Sequence, residues 1–340
     1  MIHYTELKNK RQNLRDILPL KKPFTVLIEP SSLCNFHCVQ CFQSLAGPNY
    51  FTRNRMHMPL DRFRRVVEQL RNWPGGKLKV LKLSLYGEPF LSKDFPEMLR
   101  IARKVDIAER IETTSNVSLL TPEIAEAMID ARLDYLRVSI YAVTPERHLQ
   151  VTGNPIPPER IFHNLEILQE IKRKAGSERP FVSVKMLDSY NEENERFLAC
   201  YRDLADETYL DKPHGWIKTE ERSFLEKYYN SEELASAGTD FEHVSTGQYA
   251  CPMAFTTMAV RSNGDVSPCC VDFIGGTNLG NADRDTLEEI WNSDVWFEFQ
   301  KMQLENRKES NSSCRNCYVC HSSYYTRDNI DGFPVEKLRK

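Results

Sequence analysis

Three cysteines near the start of the chain, Cys34, Cys38 and Cys41 in the run SSLCNFHCVQCFQS, have the types and spacing to do chemistry. Their spacing is C-x3-C-x2-C. Thiolates are soft ligands that select iron–sulfur clusters, zinc or Cu(I). A 4Fe–4S cluster ordinarily takes four protein thiolates. A compact set of three leaves one iron without a protein ligand, open to a small molecule and to chemistry on it. The competing readings are a zinc knuckle and a set of buried cysteines. Zinc sites usually bring two C-x2-4-C or H-x3-5-H pairs, and no histidine pair follows here.

The chain has ten cysteines: this triad, Cys200 alone, and six between Cys251 and Cys320. The N-terminal run MIHYTELKNKRQNLRDILPLKK lacks the apolar core of a signal peptide and reads as a short charged helix on the outside of the fold. The thiols therefore point to metal rather than disulfides, in a reducing cytoplasm. The run MAVRSNGDVSPCC reads as a hairpin, with Met258 to Val260, a turn at Asn263–Gly264, and a strand from Val266. Leu287 to Leu304 reads as one amphipathic helix. A cysteine before the hairpin, one after it and a CxxC beyond the helix make a four-thiolate cage, which suits zinc and an iron–sulfur cluster equally.

These groups need a scaffold to position them. Phe24 to Glu29 (FTVLIE) is apolar and β-branched, as a buried parallel strand requires, and the cysteine loop follows it. Further strands are predicted at Val80 to Leu85, Arg110 to Thr114, Tyr135 to Tyr141, Phe181 to Leu187 and Thr208 to Leu210. Helices are predicted from Leu60 to the Pro74-Gly75-Gly76 stop, and at Asp94 to Val105, Pro122 to Ala131, Ile161 to Ala175 and Asn194 to Ala205. Such alternation argues an α/β fold, a parallel sheet with helices outside. Active sites of such sheets lie at the carboxyl ends of the strands, the edge on which the cysteine loop falls.

Other polar groups gather at that edge. After the second strand comes Tyr86-Gly87-Glu88-Pro89. Gly87 lets the backbone approach a ligand, Pro89 stiffens the turn, and Glu88 offers an anion to an ammonium group. By itself the run is also an ordinary strand-to-helix turn. Ser115 and Asn116 end the third strand, and Ser139 lies in the fourth. They suit ribose hydroxyls or a carboxylate, and serve equally as a loop cap and a buried hydroxyl. Lys185, inside the fifth strand, would bind a carboxylate from the sheet's mouth or reach solvent.

Composition excludes little else. Hydrophobic residues are 41%, charged residues 27% and net charge −3, which gives no general electrostatic case for nucleic acid or an anionic membrane. No apolar run approaches the roughly 20 residues that span a bilayer.

C-x3-C-x2-C after a first strand resembles the signature of the radical S-adenosylmethionine (radical SAM) enzymes. The resemblance implies a partial (β/α)6 TIM-like barrel. It implies an open iron that chelates the amino and carboxylate groups of the cofactor's methionine part. One-electron cleavage then gives a 5′-deoxyadenosyl radical, which takes a hydrogen atom from substrate. Gly87, Glu88 and Pro89 match the family's GGE-type motif, which holds the cofactor's amino group, with Tyr86 in place of the first glycine. The family places polar residues where Ser115, Asn116 and Ser139 stand. The residue before the third cysteine is often aromatic in the family and near the adenine; here it is Gln40, with Phe42 beyond Cys41, so that contact is made differently or by backbone alone.

Gly264 to Cys269 (GxxxxC) followed by CxxC resembles the SPASM/twitch extensions of the same enzymes. A full SPASM pattern needs more cysteines than follow here. The shorter twitch unit, a β-hairpin plus helix with one auxiliary 4Fe–4S cluster, is therefore implied. Its ligands would be Cys251, Cys269, Cys314 and Cys317, with Cys270 or Cys320 able to replace a neighbour. The organisation implied is an N-terminal extension (1–22), a radical SAM core (23–210), a linker with one or two helices (211–247), the cysteine-rich unit (248–325) and a tail (326–340).

A fully ligated auxiliary cluster has no place for substrate, so its natural use is as electron acceptor. Loss of a hydrogen atom and a proton from an alcohol carbon leaves a ketyl radical, a strong reductant, and handing on its electron gives a ketone. The expected reaction is dehydrogenation of a sugar or aminocyclitol alcohol, by analogy with the twitch-containing aminocyclitol dehydrogenases. The substrate would be a sugar, an aminocyclitol or a nucleotide-linked sugar, and the reductant a flavodoxin or ferredoxin. Three alternatives stay open. Epimerisation of a sugar carbon would need a thiol such as Cys270, Cys320 or Cys200 to return a hydrogen atom. Peptide maturation ranks lower, because only about twenty residues precede the first strand. A zinc-binding interaction module would need no catalysis. No general base stands out: the eight histidines are scattered, with His37 and His321 beside cysteines by incident and His148 and His163 on helices.

Overall fold

The computed structural model describes residues 12–45, 55–212, 225, 227–237, 247–272, 275–319 and 326–339. In chain order they form β1 (Thr25–Ile28), α1 (Leu60–Asn72), β2 (Leu78–Lys82), α2 (Phe95–Val105), β3 (Ala108–Ser115), α3 (Pro122–Asp130), β4 (Tyr135–Ile140), α4 (Pro145–Thr152), α5 (Pro158–Lys174), β5 (Phe181–Leu187), α6 (Glu193–Tyr201) and β6 (Glu207–Asp211). Then come α7 (Ser231–Ala237), α8 (Met253–Thr256), β7 (Thr257–Val260), β8 (Asp265–Ser267), β9 (Gly280–Asn281), α9 (Leu287–Trp291) and α10 (Asp294–Leu304).

The strands make one nine-stranded sheet in the order β6-β5-β4-β3-β2-β1-β7-β8-β9. Neighbours from β1 to β6 are parallel, as βαβ connections demand. This is the α/β parallel-sheet architecture of a partial barrel. Period-two alternation divides each strand. Leu81, Ile111, Leu136, Val138 and Val184 are buried against the helices, whose own apolar stripes include Phe63, Val66 and Leu70 of α1. The opposite, concave face carries Lys82, Glu112, Arg137, Ser139 and Lys185. Helix starts follow local chemistry: Thr121 accepts from the Ile124 amide, with Pro122 in the first turn.

Four features depart from the sequence-based expectation or extend it. β2 ends at Lys82 rather than Leu85, so the turn toward Tyr86 begins earlier. Helix α4, expected only as a helix carrying His148 and without bounds, starts at Thr144-Pro145-Glu146, which repeats the start signal of α3, and ends at Gly153 with φ 62°. Leu287 to Leu304 is two helices, because Ser293 accepts from the Trp296 amide and starts α10 afresh. Above all, the hairpin is no separate extension. β7 pairs parallel with β1 along Thr25–Ile28 and β8 pairs antiparallel with β7, so the sheet continues into the cysteine-rich unit. One buried core likewise runs from Val26 and Phe63 to Met258, Trp291 and Trp296.

Of the N-terminal helix only Leu14–Ile17 is described, with Leu14 buried. Of the predicted linker, α7 and the few residues before it are described, and most of the rest lies outside the described residues. Among the described residues no helix is long and apolar enough to cross a membrane.

Candidate active site

The loop after β1 brings Cys34, Cys38 and Cys41 together. Cys38 is buried and the other two are half-buried, and none is in a disulfide. Burial pushes the Cys34 thiol up to about 12, and the charges of Glu88 and Cys41 add to it. Burial, then Cys41 and Cys34, raises Cys38 likewise. Backbone amides aim at two of the sulfurs, Phe36 N–H at Cys34 and Gln43 N–H at Cys41, each at 3.4 Å. Thiols crowded and desolvated in this way ionise only against a cation, and the amides favour the ionised form. The donor set therefore fits an iron–sulfur cluster. Among the described residues no three His, Cys, Asp or Glu side chains close on a single metal ion.

The Tyr86–Pro89 turn lies directly on this loop. The Glu88 amide donates to the Leu33 carbonyl at 2.8 Å. A Cβ on Gly87 would lie 2.5 Å from that carbonyl oxygen and closer still to that of Ser31. The glycine is required by the loop's own backbone. Gln43 ties both together, its amide donating to the carbonyls of Ser32 at 3.0 Å and Tyr86 at 2.9 Å. Pro89 is buried and opens a short 3-10 turn.

Glu88 is buried at 3% exposure. One carboxylate oxygen accepts from the Phe90 amide at 3.1 Å and the Ser115 hydroxyl at 2.7 Å, the other from the Asn116 amide at 2.9 Å. Burial pushes its carboxyl up to about 7 against these bonds. Asn116 donates to the Asn35 side chain at 3.1 Å. Glu88, Ser115 and Asn116 thus form one web that ties the end of β3 to the cysteine loop. Ser139 sits beside Lys185 in the β4–β5 register. The Lys185 ammonium pairs with Asp211 at 2.6 Å. Gln40 keeps a buried side-chain oxygen with no partner among the described residues; the side chain of Phe42 lies outside them.

A cover of aromatic residues closes over the triad, part of it from the predicted linker. Phe36 meets Tyr141 edge-on at 6.0 Å and His148 at 5.4 Å. The Tyr228 hydroxyl donates to the Tyr141 carbonyl at 3.2 Å. Arg147 of α4 holds this cover, pairing with Glu193 at 3.1 Å and Glu233 at 3.0 Å and lying 5.2 Å over the Tyr228 ring.

Cys251, Cys269, Cys314 and Cys317 line one cavity, with Met253 and Phe299 on its apolar wall. Burial raises Cys269 well above its ordinary range, with Cys270, Asp272 and Cys251 adding to it. The Gln303 amide reaches Cys314 Sγ and the Val319 amide Cys317 Sγ, each at 3.4 Å. Four convergent thiols with amide donors fit a fully ligated cluster. Cys270 does not line this cavity; its thiol feels the Lys82 ammonium on the concave face. Cys200 is exposed on α6, and Cys320 lies outside the described residues.

Two residues overlooked in the sequence join the centres. Glu29, at the end of β1, accepts from the Tyr86 amide at 3.2 Å and from the Ser262 amide and hydroxyl at 3.0 and 2.9 Å. Arg261 lies 5.5 Å over the Tyr86 ring and bonds Asp272 at 2.9 Å. Burial raises the Tyr86 phenol, and the charges of Asp272, Cys269, Cys270 and Glu29 act on it too. Tyr86 thus stands between the two thiol groups.

Family models match both parts of the chain: the radical SAM superfamily over residues 28–197 and an iron–sulfur cluster-binding domain, SPASM, over residues 251–318. GTP 3′,8-cyclase of Vibrio vulnificus is 26% identical over 173 residues, 50% of this chain and 48% of its own length. The same enzyme of Shewanella denitrificans is 26% identical over 170 residues, 48% of this chain and 45% of its own. The chain spans about half the length of these curated relatives. Among solved structures, BtrN in complex with AdoMet and 2-DOIA has a TM-score of 0.53 at 18% identity, covering 88% of this chain and 94% of its own. Streptococcus suis SuiB bound to precursor peptide SuiA has a TM-score of 0.61 at 18% identity, with 91% and 72% covered. The anSMEcpe enzyme with bound AdoMet has a TM-score of 0.58 at 16% identity, with 93% and 94% covered. At such identities the likeness is one of fold.

Proposed function

The chain belongs to the radical SAM superfamily, and we propose that it dehydrogenates a sugar or aminocyclitol alcohol. Its cofactors are S-adenosylmethionine and 4Fe–4S clusters. In this reading Cys34, Cys38 and Cys41 hold the first cluster, and Cys251, Cys269, Cys314 and Cys317 hold the second. When bound, these groups supply a radical that removes a substrate hydrogen atom and a sink for the electron that follows.

One observation carries the reading. The four thiols of the second centre line their own cavity, and no residue of the concave face of β2 to β6 lines it with them. A centre supplied with four thiolates and set apart from the concave face suits electron acceptance rather than substrate binding. The chain's own residues divide the remaining work. Gly87 and Glu88 hold the cofactor turn on the cysteine loop. Ser115, Asn116, Ser139 and Lys185 border the cofactor from the strand ends. Tyr228 and Phe36 keep water from the first centre. BtrN, solved with AdoMet and 2-DOIA, shares the fold over 94% of its length, which supports a small-molecule substrate in such a frame. Free thiols among the described residues suit a reducing cytoplasm, with a flavodoxin- or ferredoxin-type reductant.

Cys270 favours a second reading. It stands outside the cavity and toward the concave face, where a thiol could return a hydrogen atom in an epimerisation. Anaerobic reconstitution with free and nucleotide-linked sugars decides. Dehydrogenation predicts one 5′-deoxyadenosine for each oxidised product. Replacing the triad by alanine should abolish both, and undiminished 5′-deoxyadenosine would refute the assignment. Cys317→Ala should keep the cleavage but lose auxiliary iron and oxidised product. A product of unchanged oxidation state carrying solvent deuterium, lost in Cys270→Ala, would establish epimerisation instead.

A further inference from the structure

We propose that the concave face of the sheet binds a phosphate group of the substrate, with Lys82 as its anchor. The inference deepens the function proposed above and rests on its reading of a sugar-like substrate.

Register and alternation put the relevant side chains together. Lys82 of β2 pairs with Glu112 of β3, Arg137 of β4 with Thr114 of β3, and Lys185 of β5 with Ser139 of β4. Their strand neighbours Leu81, Ile111, Leu136 and Val184 are buried on the helix side, so the charged residues share the other face. Most of these charges are answered within the protein. Arg110 pairs with Glu112 at 2.5 Å and Lys185 with Asp211 at 2.6 Å. The Ser183 hydroxyl donates to Glu207 at 2.8 Å, and Arg137 donates to the neutral Tyr209 hydroxyl at 3.0 Å.

Lys82 is the exception. Among the described residues its ammonium has neither an ion-pair partner nor a hydrogen-bond acceptor. It is instead crowded by cations. Burial and the Arg137 charge lower its pKa, as does Lys185, against Glu112 and Cys270. An enclosed ammonium beside two further cations is held at a cost that an anion would relieve. Lysine as a point charge beside an arginine fork is a phosphate-recognising combination. A phosphate also presents enough oxygens and charge to meet several cations at once.

Position argues for substrate rather than cofactor. Lys82 precedes the Tyr86–Pro89 turn by four residues, and Arg137 precedes Ser139 by two. Both therefore lie farther from the carboxyl edge than the groups expected to border S-adenosylmethionine. The class implied is a phosphorylated sugar, either a sugar phosphate or a nucleotide-linked sugar.

Calorimetric titration of the anaerobically reconstituted protein tests this with inorganic phosphate, a hexose 1-phosphate, a UDP-hexose and the bare hexose. The phosphate-bearing probes should bind, and Lys82→Met should weaken them roughly 10- to 100-fold. Lys82→Arg should restore most of the loss. Tighter binding of the hexose 1-phosphate or of the UDP-hexose assigns the source of the phosphate. Equal binding of the bare hexose, failure of every phosphate probe, or unchanged affinity in Lys82→Met overturns the proposal. Lys82→Met removes a repelled charge, so its iron content should match wild type and its unfolding temperature should not fall. 5′-Deoxyadenosine formed without substrate reports separately on the radical function. Its absence beside intact phosphate binding would sink that function and leave this site standing.

Discussion

Gly87 shows how narrowly single residues set this site. Any side chain there meets two backbone carbonyls of the cysteine loop, and backbone cannot swing aside as a side chain can. Gly87→Ala should lose about 1–3 kcal/mol or more of stability and lift the turn off Ser31 and Leu33. Denaturant midpoints and iron in the first centre, measured on the reconstituted protein, should fall together; an unchanged pair would mean that the loop accommodates a methyl group. Glu88 illustrates the same economy of position. Its three donors come from the turn itself and from the end of β3, so one buried carboxyl joins two strand ends before any ligand arrives.

At the scale of elements, the cover over the triad depends on α4 and α7 being clasped by Arg147. Glu193 and Glu233 are both nearly buried and share this one guanidinium. Removing one partner of such a cluster leaves buried charge uncompensated, at about 3–5 kcal/mol. The carboxylates escape that penalty if α7 swings into water. Arg147→Ala should therefore speed amide exchange across Ser231–Ala237 while leaving β1 to β5 as protected as in wild type. Exchange raised evenly over the whole chain would show instead that the clasp supports the core and not the cover.

For the whole molecule, the continuous sheet matters most. β1 is flanked by β2 on one side and β7 on the other, and Glu29 bonds to both the Tyr86–Pro89 turn and the hairpin turn. Arg62 of α1 reaches across to Asp283 at 2.6 Å. The two cysteine centres therefore share one rigid frame, which suits transfer of an electron over a set distance. A chain ending at residue 247 would expose the edge of β1, an open template for aggregation. It should be insoluble or lack iron in the first centre. A soluble truncated chain with a full complement of iron there would show that the units fold independently.

The sequence by itself determined the two thiol groups, the alternation of strands and helices, and the family to which they belong, because ligand spacing and hydrophobic period are local properties of the chain. Even the four thiols lining the second cavity were legible as a before-hairpin, after-hairpin and CxxC pattern. Tertiary structure alone decided where Cys270 stands, that Lys185 is answered by Asp211, and that β7 completes the sheet beside β1. It also decided that Glu29 and Tyr86 tie the two centres together, and that Lys82 stands unanswered among cations within the described residues. Each of these is a relation between residues far apart in the chain. No local period encodes such a relation; it exists only once strands in register bring separate charges onto one face.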